Sequence, residues 1–362
     1  GGSGGGGGQT PIVPDPLPPQ SPSPALSGLV ALAAGDGIIR ADFALPGANF
    51  EAALFTATVR SAVFGGPAAH ILATADHLVF SSPNGTTFVG MGIRAAGTSS
   101  WTQVGEILRC RPTTTNIYVD PTADPSIANG QSPATAFNNL AQGFFAAAAA
   151  ASFSAGANLL IRAGDYTNGP FPVGPDVHAY GGFQDGFDFE DRDPRGGGTR
   201  LINASDPARM IVDVLSGGDD SVLDGMVVDG GNVFTEGIDV TDSDCEIRSV
   251  TSRRMLDRGS RVRTFDFTTR RLVLMVACDI SENGNDGLGV NGVVDLKIDR
   301  CTFNANQQEG IDADDLYVNG SDAAQCFVRG SRFFGNGLDG LDIDLAAPPA
   351  APQSPGGTFD VR

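Results

Sequence analysis

Asp286, Glu309 and Asp339 hold the same place in three similar segments, ISENGNDGLGV (280–290), FNANQQEGIDA (303–313) and FFGNGLDGLDI (333–343). Asp312 matches Asp342 in a second column, and Asp314 matches Asp344 in a third. Carboxylates that recur at one position of a repeating chain are brought together by its fold. There they repel unless a cation, a basic neighbour or a proton relieves them. Calcium is a natural relief, because it takes many oxygen ligands in flexible geometry. The expected ligands are then Asp286, Glu309, Asp312, Asp314, Asp339, Asp342 and Asp344. A solvated acidic edge, polar because it faces water, is the plainer account of the same residues.

Basic residues gather just upstream, in SRRMLDRGSRVRTFDFTTRR (252–271). Arg253, Arg254, Arg258, Arg261 and Arg263 are expected in a loop projecting between repeats, where they either pair with the acids or bind an anionic polymer. Other catalytic arrangements are missing. His70, His77 and His178 have no metal-ligand spacing around them, and the chain contains neither a GxSxG elbow nor a phosphate loop. The five cysteines form no CxxC, which speaks against zinc and thioredoxin-type chemistry. Any two acids of such a chain could be drawn as a glycosidase pair, so no catalytic residue is singled out.

The elements that must position these residues follow from composition and periodicity. A chain of 362 residues, 41% hydrophobic and 18% charged, can bury a sizeable core, and its length suggests two folded units. Forty-nine glycines against one Trp and four Tyr favour an all-β, turn-rich chain. A net charge of −19 repels nucleic acid and anionic membrane, and no apolar run reaches the length of a transmembrane segment. The three segments carry Gly287, Gly310 and Gly340 at 23- and 30-residue spacing, as a repeat with insertions does.

If each repeat is one coil of a solenoid, equivalent residues stack about 4.8 Å apart. Ile238, Leu288, Ile311 and Leu341 then point inward, as do Val240, Val290, Ala313 and Ile343, while positions 239, 289, 312 and 342 point outward. Glycines 237, 259, 287, 310 and 340 mark a corner expected to need positive φ. Asn283, Asn306 and Asn336 are expected to bond one another along the axis. Cys278 and Cys301 share a column and Cys245 and Cys326 another, read as buried free thiols rather than disulfides.

Two resemblances give this pattern a fold. IIRADFALP looks like the second strand of a fibronectin type III domain, with Phe43 in place of that family's Trp, and SPNGTTFVGMGIRAAG is similar to its penultimate strand, with Phe88 in place of its corner Tyr. NIYVDPTADPSIANGQSPATAFNNLAQGFFAAAAAA resembles the start of bacterial pectate-lyase-like right-handed β-helix surface proteins. In these a short helix covers one end of the coil; here Phe137, Leu140 and Phe144 would form its apolar face. LLIRAGDYTNGPFPV and VHAYGGFQDGFDFEDRDP are similar to that class as well. Calcium-dependent lyases of the class use acidic clusters with a basic proton acceptor, but no lyase motif can be placed here residue by residue.

The expected fold is therefore all-β, a fibronectin type III-like β-sandwich at 26–112 followed by a right-handed parallel β-helix solenoid at 113–346. A Gly/Pro-rich extended arm or tether occupies 1–25, and a Pro-rich tail occupies 347–362. The glycine-rich start resembles a spacer holding an exported, processed protein at a bacterial surface, and Asn84, Asn203 and Asn319 lie in glycosylation sequons. The function expected first is a non-catalytic extracellular structural protein, a filament subunit or adhesin that self-associates through its arm and its solenoid ends. The alternative is a calcium-dependent polysaccharide lyase, or a carbohydrate-binding β-helix protein with a cell-surface polysaccharide as partner. A cleft lined by arginines and acids along one parallel sheet would favour that alternative.

Overall fold

The computed structural model describes residues 27–46, 49–72, 76–82, 87–112, 114–154, 156–167, 169–196, 198–202, 210–217, 220–266, 268–317, 325–346 and 358–361, with only the backbone given at 314–317, 344–346 and 358–361. The arm at 1–25 and the three sequon asparagines lie outside these residues.

Seven antiparallel strands open the described chain: β1 (Gly28–Gly35), β2 (Ile38–Ala44), β3 (Phe50–Ala57), β4 (His70–Leu72), β5 (His77–Ser81), β6 (Phe88–Ala95) and β7 (Thr102–Arg109). They form two sheets, ordered β1-β2-β5 and β4-β3-β6-β7, a β-sandwich. Alternation along β2 places Ile39, Ala41 and Phe43 in the sandwich core with Leu54, Val89 and Met91. On the other face of β2, Arg40 and Asp42 are buried as well. What covers them is the second unit.

Among the described residues that unit is a right-handed parallel β-helix of three sheets. Sheet I has nine strands, from Thr115–Val119 to Val294–Asp299, Gln325–Arg329 and Thr358–Val361. Sheet II has seven, from Gly164–Tyr166 to Arg332–Phe334. Sheet III has seven: Phe171–Val173, Val212–Val214, Ile238–Thr241, Ser260–Arg263, Leu288–Asn291, Ile311–Tyr317 and Leu341–Ala346. Its register aligns Ile238, Ser260, Leu288, Ile311 and Leu341 in one inward column, and Val240, Val262 and Val290 in the next. Burial of these stacked side chains, at about 25 cal/mol per Å² of apolar surface, drives the coil together.

The start of the solenoid is closed by α1 (Leu140–Phe153), which begins after Asn139, whose side chain accepts from the Gln142 amide. Leu140, Phe144, Ala147 and Ala151 face the apolar stack. Phe137, expected on the same helix, precedes it and bridges to Val119. Gly143 lets the helix settle closely, since a Cβ there would stand 2.3 Å from Val119 Cγ2. At the other end the chain returns: Thr358–Val361 pairs in parallel with Gln325–Arg329, so part of the predicted tail extends sheet I.

The repeated glycines serve a purpose other than the expected one. None of Gly237, Gly259, Gly287, Gly310 and Gly340 has positive φ. Instead the coils approach too closely for a side chain: a Cβ on Gly287 would lie 2.5 Å from the Gly310 carbonyl oxygen, and one on Gly310 would lie 2.5 Å from that of Gly340. The left-handed corners fall on other residues, Ser249, Ala277, Arg300 and Gly330 in one column and Arg254, Glu282, Ala305 and Gly335 in another. The asparagine ladder does form, with Asn283 Nδ2 donating to Asn306 Oδ1 at 2.8 Å and Asn306 Nδ2 to Asn336 Oδ1 at 3.1 Å. All five cysteines are free and buried.

The sandwich lies on the outer face of sheet I. Leu274 and Val276 of that sheet join the sandwich core, and the Leu32 amide donates to Asp224 Oδ2 at 2.9 Å. Arg192, Asp224 and Arg248 are fully buried there, with Arg192 Nη2 on Asp224 Oδ1 at 2.6 Å. Arg40 Nη1 donates to the Phe189 carbonyl at 2.7 Å, and Arg60 pairs with Glu246 at 2.7 Å. His178, which sequence reading left unassigned, is structural: it is buried and held between the Tyr180 hydroxyl and the Asp220 carbonyl.

Candidate functional site

The outward positions of sheet III carry the candidate site. Residues 239, 261, 289, 312 and 342 stack in one outward column: Asp239, Arg261, Gly289, Asp312 and Asp342. In Ser260–Arg263, the serine and valine turn in and the two arginines turn out. Arg261 and Arg263 are thus strand residues, not loop residues as expected. Arg253 and Arg254 sit elsewhere, at the end of a sheet II strand, both paired with Asp229.

Each arginine on sheet III is held by carboxylates. Arg261 Nη2 donates to Asp239 Oδ2 at 2.9 Å and Nη1 meets Glu236 Oε1 at 2.6 Å. Arg263 donates through Nη2 to Asp239 Oδ2 at 2.7 Å and through Nε to Thr241 Oγ1 at 3.0 Å. Asp239 points outward yet is fully covered by these two guanidinium groups. Arg263 also lies over the Phe265 ring, 5.3 Å from its centroid. The amides of Phe265 and Asp266 donate to Asp242 Oδ1, which fixes the turn that presents the exposed ring.

Arg258 crosses from the corner onto the sheet, donating to Asp286 Oδ2 at 2.9 Å and to Asp312 Oδ2 at 3.4 Å. Burial, with Asp286 close by, pushes the Glu309 carboxyl up to about 7. Asp286 and Asp312 thus have a basic neighbour in Arg258, and Glu309 holds a proton more readily than an ordinary carboxyl. Among the described residues no group of three or more His, Cys, Asp or Glu side chains is arranged to hold a metal ion. Of the seven expected calcium ligands, Asp286 is buried, Glu309 and Asp312 are half-buried, and Asp339 and Asp342 are exposed. The side chains of Asp314 and Asp344 lie outside the description. The calcium expectation thus meets Arg258 already in place between Asp286 and Asp312.

Arg258, Arg261, Arg263, Phe265, Asn291 and Asp312 line an open hollow of about 310 Å³ on this sheet. Sequence reasoning found the arginines and Asp312 but missed Glu236, Thr241, Phe265 and Asn291. The period-2 pattern of SRVR was the available signal for the strand. Nothing local pointed to Phe265, whose place depends on Asp242 in the preceding coil.

No family model and no curated protein matches this chain. A solved structure titled "Structure of Yersinia enterocolitica Family 28 Exopolygalacturonase" is similar to it, with a TM-score of 0.37 and 9% identity over 87% of this chain and 81% of that one. No residue role and no activity is carried from that likeness. The expectation of a non-catalytic structural protein, filament subunit or adhesin is corrected here. The cleft lined by arginines and acids along one parallel sheet, which favours the alternative, is present on sheet III.

Proposed function

We propose that this chain is a carbohydrate-active or carbohydrate-binding β-helix protein whose polysaccharide lies across the strands of sheet III. The hollow between Arg258, Arg261, Arg263, Phe265 and Asp312 carries the reading. Guanidinium donors and a carboxylate acceptor, fixed by ion pairs beneath them, match the mixed donors and acceptors of sugar hydroxyls. The exposed Phe265 ring offers an apolar face to a sugar ring. Every arginine charge in the hollow is already met by a carboxylate, and the whole chain carries −19. That balance favours a neutral, hydroxyl-rich chain over a polyanion. Glu309 adds a group able to exchange a proton near neutrality, linked to the hollow through Asp286 and Arg258.

A polysaccharide partner agrees with an exported, cell-surface location, and the three-on-four strand order supports a fibronectin type III-like sandwich. Affinity electrophoresis of the whole chain through neutral and uronate-containing polysaccharides tests the reading. Retardation by a neutral polysaccharide, lost in Phe265→Ala and in Arg263→Gln, is the expected result. Retardation unchanged in both variants would remove sheet III as the site. Product analysis on the retarding polysaccharide then separates a hydrolase, whose products carry new reducing ends and no double bond, from a lyase, which requires a uronate-containing chain and leaves an unsaturated sugar, and from a binding protein, which releases no product.

A further inference from the structure

A second hollow, of about 240 Å³, lies where the corner between sheets I and II meets strand β1 of the sandwich. Val30, Ala277, Arg300, Cys301, Thr302 and Arg332 line it. Its charge is unlike that of sheet III. Asp299, buried at 2% exposure, is the carboxylate shared by two guanidinium groups: Arg300 donates to its Oδ2 from Nε and Nη2, and Arg329 donates to its Oδ1 at 2.7 and 2.9 Å. Arg300 also donates to the Leu29 carbonyl, and its side chain is 93% buried, being 7% exposed. Its remaining nitrogen, Nη1, has no hydrogen-bond partner among the described residues. Arg332 is exposed and forms no ion pair among them.

Three arginines therefore face one carboxylate. Asp279 stands in the same outward column, one coil (about 4.8 Å) from Thr302 and two coils (about 10 Å) from Arg332, so it borders the hollow on the side away from Arg332. Lys297 is paired outward with Glu106. A local excess of positive charge in a chain of −19 favours an anion at the mouth of this hollow. Arg300 is placed there by the left-handed corner, at φ 55°, a conformation uncommon for a residue other than glycine. Its contact with Leu29 makes the docked sandwich part of the same wall.

We propose that this hollow binds an oxyanion, a phosphate, sulfate or carboxylate group, through Arg300, Arg332 and the Thr302 hydroxyl. The proposal is independent of the sheet III reading. The group is either a free ion or one borne on a saccharide, and the chemistry of recognition is the same in both cases.

Thermal unfolding and calorimetry of the full chain with inorganic sulfate, inorganic phosphate and acetate test it, each against sodium chloride at matched ionic strength. Anion concentrations are kept in the low millimolar range, where general salt exclusion is small. At least one oxyanion is expected to raise Tm beyond the chloride control, by linkage of binding to folding. Arg332→Gln, at an exposed position, should keep the baseline Tm and weaken binding tenfold or more, and Thr302→Val should weaken it less. A sulfated oligosaccharide binding more tightly than inorganic sulfate identifies a saccharide-borne group, and equal binding identifies the free ion. Absence of any rise over chloride, or a rise of equal size in Arg332→Gln, overturns the proposal.

Discussion

Arg258 lies directly over Gly289, where a Cβ would stand 2.6 Å from the arginine Nε. The glycine interrupts an outward column of charged residues, and the gap is what the arginine needs to reach both Asp286 and Asp312. Gly289→Ala should leave the coil folded, because the flexible arginine can move aside from Asp312 while still reaching Asp286 through another guanidinium nitrogen, and lower stability by no more than about 1 kcal/mol. It should still displace Arg258 from the hollow. Polysaccharide retardation reduced severalfold at nearly wild-type Tm is the outcome that supports this arrangement, and unchanged retardation would show that Arg258 does not position ligand.

Arg258 is also the counter-charge of a nearly fully buried acid. Arg258→Ala should destabilise by about 3 kcal/mol, since removing one partner leaves Asp286 ionised without compensation. The vacated space among Asp286, Glu309 and Asp312 should then respond to calcium. Millimolar calcium is expected to raise Tm in the variant more than in the wild type. An equal rise in both would mean that calcium acts elsewhere, with Asp339 and Asp342 as the first residues to test.

The Glu309 carboxyl gives a pH dependence with a definite sign. Its folded-state value is raised to about 7 from an ordinary 4.5, by burial first and by Asp286 second. Between these values the folded chain keeps a proton that the unfolded chain has lost, so this group's contribution to stability falls as pH rises from 4.5 to 7. Below 4.5 the contribution is complete. Glu309→Gln should therefore flatten the decline in Tm over that interval and leave the variant relatively more stable at pH 8. Parallel Tm profiles for the two proteins would show that Glu309 titrates normally.

Contact between coils, not backbone conformation, makes Gly310 indispensable. Gly310→Ala should destabilise by about 2 kcal/mol or more, because its Cβ would meet a neighbouring backbone carbonyl that cannot rotate away. Alanine at Gly335, which does have positive φ but open surroundings, should cost about 1 kcal/mol through strain alone. Chemical denaturation of the pair tests the distinction; the reverse order would restore the corner explanation.

Asn306 both accepts from Asn283 and donates to Asn336. Asn306→Leu should cost roughly 1–3 kcal/mol, since it orphans the buried Asn283 and the half-buried Asn336. Equilibrium unfolding reads this directly, and a loss below 1 kcal/mol would mean that water replaces the ladder.

Much of the solenoid was legible because stacking forces equivalent residues into columns, and columns survive insertions between coils. Leu288, Ile311 and Leu341 align as their spacing implies, and so do the asparagines. Backbone geometry was less legible: a repeated glycine is equally consistent with positive φ and with close approach, and Gly287 and Gly310 have the second reason. The site was half visible. The outward turn of Arg261 and Arg263 follows from alternation, but their partners Glu236, Asp239 and Thr241 come from the preceding coil and share no local signal with them. Burial of Arg40 and Asp42 depends on a docking partner about 150 residues further along the chain, at Phe189 and Glu190, which periodicity within β2 cannot reveal.

The sandwich seated on sheet I makes the two units one cooperative body. Separating them would bare Leu274 and Val276 and strip cover from Arg192, Asp224 and Arg248. Neither unit is thus expected to behave as an interchangeable cassette. On heating, the chain should melt in a single calorimetric transition, and the amides of Ser221–Asp224 and Cys245–Arg248, shielded beneath the seam, should be among the last to exchange with deuterium.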